Sequence, residues 1–149
     1  MTDRLHASCV EIGGRGVLIL GASGSGKSSL AWRLIDEQGA NLVGDDQLYV
    51  WTKDHHLYVR PALPGLIDMR GIGVIERAHP AQARLSLAIN LDQAPQRVAE
   101  PQHHLLCGLK LPCLGLAAHD TLAPLQVAMA LRTIGVTGFS STGLYRDER

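Results

Sequence analysis

The octapeptide Gly21-Ala22-Ser23-Gly24-Ser25-Gly26-Lys27-Ser28 constrains this chain more than any other stretch of it. It satisfies the pattern G-x-x-x-x-G-K-[ST] at every fixed position. Its flanks also fit: Gly16–Leu20 is a β-favouring run, and Leu30, Ala31, Leu34 and Ile35 fall on one helix face. A helix over Lys27–Gln38 is predicted, with Gly39 as its stop. Glycines in such a loop let the backbone curl until several N–H groups point at one anion. The helix N-terminus adds its partial positive charge at the same spot. Lys27 is expected to reach the β- and γ-phosphates of a nucleotide, and Ser28 to put its hydroxyl on Mg²⁺. A chance glycine-rich turn would not bring both flanking elements with it. Gly21 through Ser28 therefore read as a nucleotide or phosphate site.

The remainder must supply a sheet and a core around that loop. A chain of 149 residues with 46% hydrophobic content is about one domain's worth. No repeat or low-complexity linker divides it, so a single domain over 1–149 is expected. Fourteen Lys and Arg balance fourteen Asp and Glu, so the excess positive charge of a nucleic-acid or anionic-membrane binder is missing. No apolar run approaches the roughly 18–20 residues that span a bilayer. Met1-Thr2-Asp3-Arg4-Leu5-His6 lacks the apolar core of a signal peptide, which points to the cytoplasm. Cys9, Cys107 and Cys113 form no Cys-x-x-Cys pair and read as reduced thiols. His55-His56 and His103-His104 read as solvated loop residues, without the i, i+4 spacing of helix-borne ligands.

Along the chain, Ser8–Ile12 and Gly16–Leu20 flank a Gly13-Gly14-Arg15 turn and read as a hairpin. Asn41–Val43 is a short buried strand. Leu48–Thr52 and His56–Arg60 alternate around Lys53-Asp54 as a second hairpin, and Pro61 and Pro64 mark a break. Leu85–Leu91 is a further strand, and Leu105–Leu116 is two short strands or a bulged one. Thr121 as cap and Pro124 in the first turn open a helix to about Ile134, apolar nearly all round and so buried or at an interface. Gly135–Arg149 lacks periodicity and is expected to be a loose tail. The pattern is α/β.

A phosphate loop does not say what becomes of the phosphate; the accompanying acids do. Asp45-Asp46 follows the strand Asn41–Val43, and both side chains can face one site only if the chain bends, which Gly44 permits. Two carboxylates about 4 Å apart repel by roughly 4 kcal/mol at an effective dielectric near 20, a cost that a metal or a shared proton offsets. Asp92, at the end of Leu85–Leu91, is the second candidate, resembling the acid that closes a Walker B strand.

Four features in order resemble the catalytic domain of bacterial HPr kinase/phosphorylase, in the short form found in some proteobacteria. His6 lies fifteen residues before Gly21, and the glycine loop follows. Leu42-Val43-Gly44-Asp45-Asp46 is similar to the family's apolar-apolar-Ala-Asp-Asp. Ile67-Asp68-Met69-Arg70-Gly71-Ile72-Gly73-Val74-Ile75 resembles the family signature around (E)-[IV]-R-G-[LI]-G-[IV]-I. The resemblance covers roughly Leu5 to Ile75. It implies an HPr kinase-like sheet, related to that of phosphoenolpyruvate carboxykinase, with flanking helices.

It also implies an ATP- and Mg²⁺-dependent serine kinase acting on an HPr-like phosphocarrier, and homo-oligomers, since family members form hexamers. In that reading Asp45 takes the proton from the target serine, and His6 sits beside it and tunes its charge. Asp46 helps hold the metal with Ser28, and Asp68 stands in the place of a metal-binding glutamate, about 1.5 Å shorter by one methylene. Arg70 matches the signature arginine, Lys27 meets the transferred phosphoryl group, and Ser29 replaces a glutamate at the end of the nucleotide-binding run. The family's Val-Arg-Pro-Gly-Arg-Asn-like loop, linked to the phosphorylase direction, has Ala117-Ala118-His119-Asp120-Thr121-Leu122-Ala123-Pro124 in its place, which leaves that direction open. Two other functions fit the same loop: a small-molecule kinase with Asp92 as its Walker B acid, and a nucleotide or phosphate sensor without turnover.

Overall fold

Eleven strands and three helices are built by the described residues, 2–63 and 65–147, of a computed structural model. The strands are β1 (Thr2–Leu5), β2 (Ser8–Ile12), β3 (Arg15–Leu20), β4 (Asn41–Gly44), β5 (Leu48–Lys53), β6 (His56–Pro61), β7 (Leu66–Met69), β8 (Gly73–Glu76), β9 (Ala83–Asn90), β10 (His103–Leu106) and β11 (Leu109–Gly115). The helices are α1 (Lys27–Gln38), α2 (Ala123–Arg132) and α3 (Ile134–Thr137). Both expected hairpins form, β2–β3 and β5–β6, each in antiparallel register. Pro61 ends β6, while Pro64 lies outside the described residues.

One nine-stranded sheet runs β1-β5-β6-β9-β3-β2-β4, with β11 also on β9 and β10 on β11. Two of its pairings are parallel, β3 with β9 and β9 with β11. The other six pairings in it are antiparallel, and short turns join three of them, β2–β3, β5–β6 and β10–β11. The helices cover one face, where Leu30, Leu34, Val127 and Leu131 pack on Val10, Val17, Ile19 and Leu87. On the opposite face Leu48, Val50, Leu57 and Val59 meet Leu18, Ala88 and Leu111 in a second core. A separate ribbon, β7–β8, stands apart from this sheet.

Leu105–Leu116 forms two strands, one of the two arrangements expected of it, in a hairpin turning at Cys107 and Gly108, both at positive φ. Several other expectations are corrected. Thr121 does not cap α2; Leu122 occupies that position, and the Asp120 carboxylate accepts the Leu122 N–H (2.8 Å). The helix breaks at Thr133, one residue before the expected end, and α3 follows. Nor is the C-terminal stretch a loose tail over residues 135–147. Phe139 and Tyr145 pack against the helix-side core, the Ser140 N–H donates to the Tyr145 hydroxyl (3.1 Å), and Arg132 pairs with Asp147 (3.1 Å). Residues 148 and 149 lie outside the described set. His56, His103 and His104 sit on strands rather than in loops, His103 edge-on to Phe139. The thiols fit the reading of inert cysteines: all three are free, and burial pushes those of Cys9 and Cys113 up.

Candidate active site

β3 ends at Leu20, and the chain enters the glycine loop at the carboxyl edge of the sheet, where parallel strands leave a crevice. Gly24 and Gly26 take φ of 81° and 101°, conformations that side chains with a Cβ rarely adopt. Gly26 is also tightly covered, since a Cβ there would lie 3.0 Å from that of Ala118. The loop then opens α1 with no side-chain cap, so its first N–H groups remain for a ligand. Lys27 is only 8% exposed, and its Nζ donates to the Gly21 and Ala22 carbonyls (2.7 and 3.0 Å). The Ser25 hydroxyl is buried without a partner.

The paired acids come together as the bend at Gly44 allowed. β4 stops at Gly44, Asp46 takes φ 69°, and both Asp45 and Asp46 line one cleft with the glycine loop. Asp45 accepts hydrogen bonds from the Ser28 hydroxyl (2.9 Å to Oδ1, 3.0 Å to Oδ2) and from the fully buried Ser8 hydroxyl (2.5 Å). His6 pairs with Asp46, not with Asp45 as the resemblance implied. Both members of that pair are more than 60% exposed, so it orients side chains more than it stabilises the fold.

The opposite wall is the β7–β8 ribbon. Gly71 and Gly73 turn it at φ 92° and 134°, which is the local work of the Arg70-Gly71-Ile72-Gly73 run. The Trp32 indole N–H of α1 donates to the Asp68 carbonyl (2.8 Å), and the Arg77 guanidinium lies over the Trp32 ring. Asp68 and Arg70 are exposed and line the cleft, as do Ser23, Gly24, Gly26, Ser28 and Ser29. The cleft measures about 840 Å³. Among the described residues no three His, Cys, Asp or Glu side chains cluster closely enough to hold a metal by themselves.

Asp92 has a different place. Its carboxylate accepts the Ala22 N–H (2.8 Å), fastening the start of the glycine loop, and it is absent from the cleft lining. Where the sequence offers Asp92 as a Walker B acid, the structure shows its carboxylate bound to loop backbone. Three residues escaped sequence reasoning. Ser8 reads in the sequence as one more residue of the strand Ser8–Ile12, and only its bond to Asp45 marks it out. Arg33 binds the Ala118, Asp120 and Thr121 carbonyls (2.8, 2.8 and 3.2 Å) and holds the β11–α2 loop. His119, carried by that loop, packs near Gly26 and lines the cleft; nothing in its sequence neighbourhood signalled this.

The family model described as HPr Serine kinase C-terminal domain matches residues 1–102. The HPr kinase/phosphorylase of Lactobacillus delbrueckii subsp. bulgaricus is 31% identical over 140 residues, covering 87% of this chain and 44% of the relative. That of Lactobacillus acidophilus is 40% identical over 99 residues, covering 60% and 30%. The chain thus spans less than half the length of either curated relative. The solved structure of the Hpr(Ser) kinase/phosphatase from Coxiella burnetii superposes with a TM-score of 0.74 at 26% identity, over 87% of this chain and 94% of that one. By the family match and by a shared α/β fold, this chain belongs to the HPr serine kinase C-terminal domain family.

Proposed function

We propose that this chain transfers the γ-phosphoryl group of ATP, in the presence of Mg²⁺, to a serine of an HPr-like phosphocarrier protein. The observation that carries the reading is Asp45, a carboxylate held by two hydroxyls, Ser8 and Ser28, where the glycine loop opens into the cleft. The names of the relatives, HPr kinase/phosphorylase, support the substrate class.

The residues present suit these ligands. Curled backbone at Gly24 and Gly26, the uncapped start of α1 and the orphaned Ser25 hydroxyl leave donors for phosphate oxygens. The nucleotide-binding run is Gly21, Ala22, Ser23, Gly24, Ser25, Gly26, Lys27, Ser28 and Ser29. Magnesium keeps several waters and draws on one or two carboxylates plus substrate phosphates, so a site without a three-carboxylate cluster fits it. Ser28, Asp46 and Asp68 are the residues offered for it. Once bound, ATP and Mg²⁺ supply the phosphoryl group and the neutralisation of its charge.

The chain's own residues do the rest. A serine hydroxyl is a weak nucleophile, and Asp45 accepts its proton as the new bond to phosphorus forms. Ser8 and Ser28 hold that carboxylate in place. Lys27 spreads the negative charge on the transferred group, Arg70 does so from the ribbon, and His6 orients Asp46. Were the reaction to run in the phosphorylase direction, inorganic phosphate would take the phosphoryl group from the serine and the same carboxylate would pass a proton to the serine oxygen. A cytoplasmic place and homo-oligomeric assembly go with this reading; no helix among the described residues is long and apolar enough to cross a membrane.

Incubation with γ-labelled ATP, Mg²⁺ and the host's HPr-type proteins is expected to label one of them on serine. Asp45→Asn is expected to lower the rate about 10²–10⁴-fold. Failure of the unaltered protein to label any such carrier would overturn the proposal.

A further inference from the structure

Beyond the cleft, no helix among the described residues covers the outer face of β1–β5–β6. Strand register places two rows of side chains on it. Arg4, Tyr49 and Arg60 are cross-strand neighbours in one row, and Trp51, Tyr58 and Arg84 in the next. The opposite face of β5 and β6 carries Leu48, Val50, Leu57 and Val59, all buried in the second core, so alternation turns the rows outward. Trp51 stacks on Tyr58 with centroids 6.0 Å apart, and the Arg60 guanidinium lies 4.5 Å over the Tyr49 ring. Arg4, Arg60 and Arg84 are exposed, and Lys53 extends the same side at the end of β5.

This concentration is out of proportion to the chain. Its net charge is zero and only 4% of its residues are aromatic, yet three aromatic rings and four cations share one sheet face. The face is continuous with the cleft. Arg4 and Gln47, hydrogen-bonded to each other, lie two residues before His6 and one residue after Asp46, the pair at the cleft.

We infer that this arginine–aromatic face is the docking surface for the protein substrate, and that it takes an acidic surface beside the target serine. The inference rests on the kinase reading given above. Guanidinium groups resting on rings keep their edges free for carboxylates, while the rings give a stiff apolar floor at little entropic cost. Single-stranded nucleic acid fits less well, since stacking of bases needs open ring faces. Here Trp51 and Tyr58 cover each other and Arg60 covers Tyr49.

The test is steady-state phosphorylation of the HPr-type carrier by the full chain and by Arg84→Glu, Arg60→Glu and the double variant. None of these residues belongs to the catalytic machinery. Reversal of the two charges is expected to lower kcat/KM for the carrier at least tenfold and to flatten its dependence on salt. The KM for ATP and the melting temperature of Arg84→Glu are expected to stay as in the unaltered protein. Arg84→Glu keeps the test decisive if Arg60→Glu fails to fold, because Arg84 is exposed and, unlike Arg60, its guanidinium lies over no ring among the described residues. Unchanged kcat/KM and salt slope in folded variants would overturn the docking surface while leaving the kinase reading intact. No carrier labelling by the unaltered protein would instead overturn the kinase reading, and this surface with it. Two further outcomes reassign the face: tight binding of oligo-uridylate lost on charge reversal, or a dimer that the reversal dissociates in sedimentation.

Discussion

Three carboxylates surround the glycine loop, and the partner of each decides what it does. Asp45 is held by the Ser8 and Ser28 hydroxyls where the glycine loop opens into the cleft, which is why it is the carboxylate proposed as the base. Asp46 faces an imidazole at the surface. Asp92 is engaged with backbone, the Ala22 N–H. Asparagine at 92 keeps an acceptor for that N–H but loses the charge that strengthens the bond. Asp92→Asn is therefore expected to raise the KM for ATP by less than about tenfold, with kcat nearly unchanged. Asp45→Asn, by contrast, strikes kcat. Steady-state kinetics on both variants separate the two, and an equal fall in kcat would return Asp92 to the phosphoryl-transfer machinery. Packing accounts for a glycine at this scale too. At Gly44 a Cβ would lie 2.6 Å from Leu48 Cδ2 and 3.0 Å from Pro61 Cβ.

Among the elements, the β7–β8 ribbon depends on α1 for its position. It is not hydrogen-bonded to the large sheet, and Ile72 and Val74 are 75% and 65% exposed, so little burial holds its far side. The Trp32 N–H to Asp68 is its tie at the cleft. Trp32→Phe keeps a ring under Arg77 but removes the donor, worth about 1 kcal/mol. The melting temperature is expected to fall by about 2–4 °C, with amide exchange rising across 66–76 and little elsewhere. A uniform rise in exchange would show that the tie is not local. Legibility in the sequence follows the same division between local and distant causes. α1 was predictable to the residue because the glycine loop, a helical period and Gly39 agree. The hairpins β2–β3 and β5–β6 were predictable because turn residues separate alternating runs. The cap of α2 was not, because Asp120 outcompetes Thr121 through a bond the sequence does not distinguish. The contacts of Ser8, Asp92 and His119 were hidden for a stronger reason. Each reaches a partner far along the chain, as in the pairing of Asp92 with Ala22.

At the scale of the molecule, the sheet separates two cores, and the C-terminal stretch closes the helix-side one. Phe139 and Tyr145 pack there although neither belongs to a strand or helix, and isolated aromatics carry no period to announce such a role. The Ser140–Tyr145 bond folds the segment on itself, and Arg132–Asp147 ties its end to α2. All of this lies on the side of the fold served by α2 and α3, while the glycine loop is fastened by Asp92 and α1. Stability and nucleotide binding should therefore respond differently to losing the segment. Removal of residues 139–149 takes away two half-buried aromatic rings and uncovers the core beneath them, a loss of about 2–3 kcal/mol. For a chain of this length that corresponds to a melting temperature lower by roughly 5–10 °C. Nucleotide affinity at a temperature where the truncated chain is folded is expected to stay within about twofold. Thermal unfolding with and without ATP and Mg²⁺ measures both quantities, since a bound ligand raises the midpoint according to its affinity. A truncated chain that melts as before would place the closure of that core elsewhere, and one that folds but no longer binds would join the C-terminal segment to the site.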